Sequence, residues 1–71
     1  MREFNIDLIK KSGEEIKELA SELRKELSKR QSYYVKLTGI SKQHINYFIH
    51  SEKGFSIDKL IYIYECIQAD K

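Results

Sequence analysis

The fold of this chain is decided by residues 31–50, which read QSYYVKLTGISKQHINYFIH. Two short helical patterns lie in this stretch, separated by residues 37–41. Gly39 can take the positive φ angle that follows a helix end, and Ser41 is a good N-cap for the helix after it. The stretch therefore predicts a helix, a tight glycine turn and a second helix.

The second predicted helix has an apolar face and a polar face. Ile45, Phe48 and Ile49 recur at i, i+3 and i+4 and predict the buried face. The opposite face has no carboxylate and presents amides, a phenol, an imidazole and an ammonium group, on Gln43, Asn46, Tyr47, His50 and Lys42. Such groups bond base edges and phosphates in nucleic acids.

The excess of positive charge lies in the same region. The 71-residue chain has 13 Lys+Arg against 11 Asp+Glu, a formal net charge of only +2. Residues 29–54 contain five basic residues against Glu52 alone, whereas residues 1–28 and 55–71 each carry a net charge of −1. A basic centre between acidic flanks suits a local anionic surface. A solvated lysine-rich face is the alternative explanation.

A longer helix is predicted before this region. Ser12 and Glu15 form a capping-box pattern at its start. The apolar residues that follow fall within an arc of about 100°, which predicts one packed face and a scaffold role. They are Ile16, Leu19, Ala20, Leu23 and Leu27.

A last helix is predicted after Gly54, with Ser56 as its N-cap. Its apolar arc is wide, about 160°, and contains Ile57, Leu60, Ile61, Ile63, Tyr64 and Ile67. Tyr62 and Cys66, one turn apart, project on the other side. Because so small a domain has little core to cover such a helix, we expect Tyr62 and Cys66 to lie in a dimer interface.

The first eleven residues fit two conformations. Phe4, Ile6 and Leu8 alternate with polar residues as in a strand, but Phe4, Leu8 and Ile9 also fit a helical turn. A strand would pair with its symmetry mate across a dimer, whereas a helix would pack under the first long helix. We favour a helical or irregular arm. The expected division is an arm over residues 1–11 and a helix-turn-helix domain over residues 12–71, with its core at residues 31–50.

Length and residue chemistry exclude several classes. The chain is one small domain, and its single cysteine, Cys66, excludes an internal disulfide. No apolar run approaches the ~20 residues of a membrane span, and the N-terminus has no apolar signal-peptide core, so we expect a cytoplasmic protein without a membrane partner. His44 and His50 are six residues apart and lack further ligands at metal spacing. We therefore expect no metal, no cofactor and no enzyme activity.

The spacing of residues 31–50 also matches a known motif. That twenty-residue pattern has Gln first, Ala fifth, Gly ninth and apolar residues at the fourth, tenth, fifteenth and eighteenth places. This sequence supplies Gln31, Tyr34, Val35, Gly39, Ile40, Ile45 and Phe48 there, with Ser41 at the eleventh place. From about Ile16 to Ile67 the chain thus resembles the Cro and λ-repressor type of helix-turn-helix regulators, the xenobiotic-response-element family. Val35 in place of Ala, Arg30 in place of a Ser or Thr cap and Ile49 in place of a polar residue depart from that pattern.

This resemblance implies a small all-α domain of four to five helices. It also implies a sequence-specific transcriptional regulator, of phage or bacterial repressor type, that binds a palindromic operator as a homodimer. The recognition helix, about residues 42–50, would lie in the major groove of double-stranded DNA. Its base contacts would come from Lys42, Gln43, Asn46 and Tyr47. Phosphate contacts would come from Gln31, which would also brace Lys42, and from Lys29, Arg30, Lys36 and Lys53.

Other roles remain open for these residues. Gln31 could cap its own helix, Tyr47 could pack against the loop, and Asn46 could be merely solvated. A second function class is a protein-interaction module, such as an anti-repressor, antitoxin or inhibitor, that keeps the helix-turn-helix. The modest net charge and the outward tyrosines favour that class, whereas the carboxylate-free face favours DNA. These tyrosines are Tyr33, Tyr47 and Tyr62.

Overall fold

The computed structural model describes residues 2–51 and 54–70, and over these the chain is all-α. Five helices follow one another: α1 (Ile6–Lys11), α2 (Gly13–Lys29), α3 (Gln31–Thr38), α4 (Lys42–His50) and α5 (Ile57–Asp70). No strand forms in the described ranges. The expected class, a small all-α domain with a helix-turn-helix, is confirmed. None of the described helices is long and apolar enough to cross a membrane.

The N-terminal segment folds as a helix joined to α2 by a single residue. The Asn5 side chain caps α1 by accepting from the Leu8 amide at 3.2 Å. Ser12 then ends α1, donating its amide to the Leu8 carbonyl at 2.9 Å, and starts α2, accepting from the Glu15 amide at 3.4 Å. The reciprocal half of the expected capping box is not formed, because the Ser12 amide is used in α1 and the Glu15 carboxylate pairs with Arg2 at 3.0 Å.

Helix α2 is the central element of the core, in contact with each of the other four helices. Its predicted apolar stripe is buried, with Leu19, Leu23 and Leu27 inaccessible to solvent and Ile16 half-buried at the edge. Full burial of such a side chain stabilises a fold by about 1.5–3 kcal/mol relative to exposure. The scaffold role predicted for this helix follows from that position.

Part of the wide apolar arc of α5 is covered from within the chain. Phe4 is buried, and its ring meets the Tyr64 ring edge-on with centroids 5.7 Å apart. The Phe4 amide donates to the Tyr64 hydroxyl at 2.7 Å. The segment before α1 thus supplies the cover for Tyr64, while Tyr62 keeps 48% of its surface exposed.

Candidate nucleic-acid interface

The turn between α3 and α4 has the geometry that its sequence predicts. Gly39 has a φ of 74°, and its amide donates to the Val35 carbonyl at 3.0 Å, which closes α3. A side chain at such a φ would be strained, so glycine fits this position. Ser41 has extended backbone angles and accepts from the His44 amide at 3.3 Å, which starts α4.

Helix α5 holds this turn through a tyrosine. Thr38 is buried; its hydroxyl donates to the Tyr34 carbonyl at 2.7 Å and accepts from the Ile40 amide at 3.2 Å. The Tyr62 hydroxyl donates to the Thr38 carbonyl at 2.6 Å. Tyr62, predicted for a dimer interface, therefore also has a role within its own chain. The neighbouring Cys66 side chain, half-buried one turn further on, raises the pKa of the Tyr62 hydroxyl.

The end of α4 is held by Arg24 of α2, a residue that the sequence pattern does not single out. Its Nε donates to the Phe48 carbonyl at 2.9 Å, and its Nη2 donates to the Ser51 carbonyl at 3.1 Å. The guanidinium also lies 4.6 Å from the centroid of the Phe48 ring. The last carbonyls of a helix lack partners within the helix and carry partial negative charge, so a cation stabilises them. Its position could have indicated such a role, because Arg24 lies four residues after Ala20, at the edge of the buried stripe of α2.

The polar face of α4 lies opposite its buried face. Ile45 and Phe48 are buried, while the four residues predicted to contact bases are all exposed and share one side at i, i+1, i+4 and i+5. These four are Lys42, Gln43, Asn46 and Tyr47, and Tyr47 has 57% of its surface exposed. None of the four side chains is bonded to another residue within 2–51 or 54–70. The amide, phenol and ammonium groups are thus available to a ligand.

Two of the predicted phosphate-contacting residues have neighbours within the chain. The Lys29 ammonium pairs with the Glu26 carboxylate at 3.4 Å. The Arg30 guanidinium lies 4.2 Å from the centroid of the Tyr33 ring. The Tyr33 hydroxyl donates to the Asp70 carboxylate, and this bond raises the pKa of Tyr33. The junction of α2 and α3 is therefore attached to the C-terminal turn of α5.

The other predicted phosphate contacts differ in their surroundings. Gln31 is the first residue of α3, half-buried, and has no side-chain hydrogen bond within the described part of the chain. Lys36 is exposed and has no carboxylate partner there. Arg30 takes the N-cap position of α3 without a side-chain capping bond. Lys53 lies outside the described residues.

The described residues contain no group of three or more His, Cys, Asp or Glu side chains that could hold a metal ion. No protein-family model, curated protein or solved structure matches the chain. The features that bear on function are therefore the geometry of α3, the turn and α4.

Proposed function

We propose that this chain is a sequence-specific regulator of transcription of the Cro and λ-repressor type, which binds double-stranded DNA. The main support for this proposal is the exposed polar face of α4, which has no carboxylate. It combines two amides, a phenol and an ammonium group on a helix whose opposite face is buried. An α-helix fits the major groove, where each base pair presents a distinct set of donors and acceptors.

The side chains of this face suit base edges. Gln43 would pair through both amide atoms with N6 and N7 of adenine, and Lys42 would contact the acceptors of guanine or a phosphate. Asn46, one turn after Lys42, would make an adenine contact, and Tyr47 would lie against a thymine methyl group. A good two-bond contact discriminates against the wrong base by about 1–3 kcal/mol.

Affinity would come from the basic residues around the helix pair. The surface pair of Lys29 with Glu26 is worth about 0–1 kcal/mol, which leaves the ammonium available to a phosphate. The Arg30 guanidinium lies over the Tyr33 ring, and this contact uses none of its N–H donors, which remain available to a phosphate. Lys36 would add a third cation, and Gln31 a neutral donor.

A homodimer would present two copies of α4 to a palindromic site, with half-sites about 34 Å apart. Tyr62 and Cys66 are the proposed contact between the copies, and Tyr62 keeps the exposed surface that such a contact requires. Sedimentation that gives a monomer at tens of micromolar, with and without DNA, would refute the dimer and leave the DNA proposal standing.

The test begins with selection of bound duplexes from a random pool, followed by affinity measurements over a salt series. We expect binding to the selected duplex with log K falling linearly against log salt. Lys36→Gln is expected to reduce the slope by about one, because one phosphate contact is lost, whereas Lys25→Gln, an exposed lysine on α2, leaves it unchanged.

Gln43→Ala tests base recognition directly. We expect a loss of about 1–3 kcal/mol on the selected duplex and relaxed preference at one base pair. Ser21→Ala, at an exposed position of α2, is the control and leaves the preference intact. Absence of binding to any duplex at low salt would reject the DNA proposal and favour a protein-interaction module, to which the exposed Tyr47 is also suited.

A further inference from the structure

An open cavity of about 250 Å³ lies between α2 and the start of α5. Ile16, Ala20, Phe55 and Leu60 form its apolar walls. The ring of Phe55 is stacked on that of Phe48, with centroids 4.6 Å apart and an interplanar angle of 11°. The aromatic wall is therefore held in place by the buried face of α4.

Two cations also line this cavity, Lys17 and Arg24. Neither has a carboxylate partner within residues 2–51 and 54–70. The two hydrogen bonds of the Arg24 guanidinium go to neutral backbone carbonyls. Gly54 lines the same cavity, and a Cβ placed on it would be 3.6 Å from Nη2 of Arg24, so the guanidinium lies at the cavity wall.

Within residues 2–51 and 54–70, no carboxylate compensates the charge at this wall. A guanidinium has five N–H donors, and the two carbonyl bonds use two of them. Arg24 is half-buried, and a cation withdrawn from water is stabilised by an anion that bonds its remaining donors. No acidic residue among the described lining supplies that anion.

The cavity volume indicates what size of anion would fit. A cavity of about 150 Å³ can hold benzene, so this cavity has room for a ring or a short alkyl chain together with one carboxylate. Its apolar walls would take the hydrocarbon part, and its two cations the charge.

We propose that the cavity is a binding site for a small organic monoanion, with a carboxylate held by Lys17 and Arg24 and an apolar body against Phe55 and Leu60. The site is separate from the polar face of α4 and does not depend on DNA binding. Arg24 connects the two places, because the same guanidinium lines the cavity and bonds the end of α4.

Phenylacetate is a suitable probe, and its neutral analogue phenylacetamide is the matched control. Titration of the full chain, followed by backbone amide shifts in NMR spectra, is expected to give saturable changes at Ala20, Phe55 and Leu60. Phenylacetamide is expected to bind at least about tenfold more weakly, because the charge-assisted contacts are lost.

Lys17→Gln tests the charge without risk to the fold, because Lys17 is exposed. We expect phenylacetate affinity to fall about tenfold in this variant and to stay unchanged in Lys25→Gln, since Lys25 does not line the cavity. The proposal is overturned if phenylacetate gives no saturable shifts in the millimolar range, if phenylacetamide binds equally well, or if Lys17→Gln binds like the unmodified chain. DNA affinity is measured on the same samples. Because the cavity is separate from the polar face of α4, a loss of phenylacetate binding does not count against the DNA proposal, and an absence of DNA binding does not count against the anion site.

Discussion

Replacement of Arg24 by methionine removes the attachment between α2 and the end of α4 while keeping an unbranched side chain at that position. Two hydrogen bonds disappear, to the carbonyls of Phe48 and Ser51 at 2.9 and 3.1 Å. The contact of the guanidinium with the Phe48 ring disappears as well.

The expected size of the effect follows from these contacts. A hydrogen bond from a charged donor contributes about 1.5–3 kcal/mol, and the ring contact about 0.5–1 kcal/mol. Both hydrogen bonds are only part-buried, so water replaces some of the lost donors. We therefore expect Arg24→Met to lower the free energy of unfolding by about 2–3 kcal/mol, which in a domain of this size lowers Tm by about 10–20 °C.

Thermal unfolding followed by circular dichroism measures this loss, and Lys25→Met is the matched control. It removes the same charge from the next residue of α2, whose exposed side chain has no bonding partner among the described residues, so its effect stays within about 0.5 kcal/mol. Arg24→Lys is expected to fall between the two, because an ammonium keeps the charge but not the planar fork of donors. Equal Tm values for Arg24→Met and Lys25→Met would show that the bonds of Arg24 to the end of α4 do not stabilise the fold.

Three further changes test other parts of the fold. Gly39→Ala is expected to lower the free energy of unfolding in urea by about 1–2 kcal/mol, because a φ of 74° is strained for alanine. Crowding does not contribute, since nothing lies within 4 Å of the new Cβ. Gly13→Ala, in a helical position, is the control and is expected to cause no loss. Tyr62→Phe removes the hydrogen bond to the Thr38 carbonyl and is expected to lower the free energy of unfolding by about 0.5–1.5 kcal/mol. Tyr47→Phe is its control, and equal stability of the two variants would contradict a stabilising role for the Tyr62 bond. The raised pKa of Tyr33 means that the folded chain holds the hydroxyl proton more tightly than the unfolded chain does. The stabilisation from this proton is complete below about pH 10 and is lost as the pH rises further. Urea unfolding over this pH range should show a smaller loss of stability in Tyr33→Phe.

Local chemistry made most helix starts predictable from the sequence. Ser12, Ser41 and Ser56 were each expected to cap a helix, and each accepts from the amide three residues later, at 3.3–3.4 Å. Gly39 likewise has the positive φ expected at the end of α3. A cap needs only its immediate neighbours in the chain, so its signal is complete within four residues.

The long-range contacts were not predictable in the same way. Arg24 bonds Phe48, and Tyr62 bonds Thr38, each across 24 positions. Neither pair leaves a periodic signal, because the partner in each case is a backbone carbonyl that every residue type possesses. The conformation of the first residues was ambiguous for a different reason: so few residues fit a period of 2 and of 3.6 equally well.

For the candidate site, the helical period was sufficient to group Lys42, Gln43, Asn46 and Tyr47 on one exposed side of α4. It could not show that Lys29 pairs with Glu26 or that the Arg30 guanidinium lies over the Tyr33 ring, since these contacts depend on side-chain direction at the junction of α2 and α3.

Helix α4 is secured at both ends by residues outside the helix-turn-helix itself. Tyr62 holds the turn before it, and Arg24 holds the carbonyls after it. A peptide of residues 31–50 would contain the whole motif and neither attachment, and helices as short as α3 and α4 are marginal in water when isolated. Grafting this motif onto another scaffold would therefore transfer its sequence without its orientation, unless an arginine and a tyrosine were supplied at the matching places.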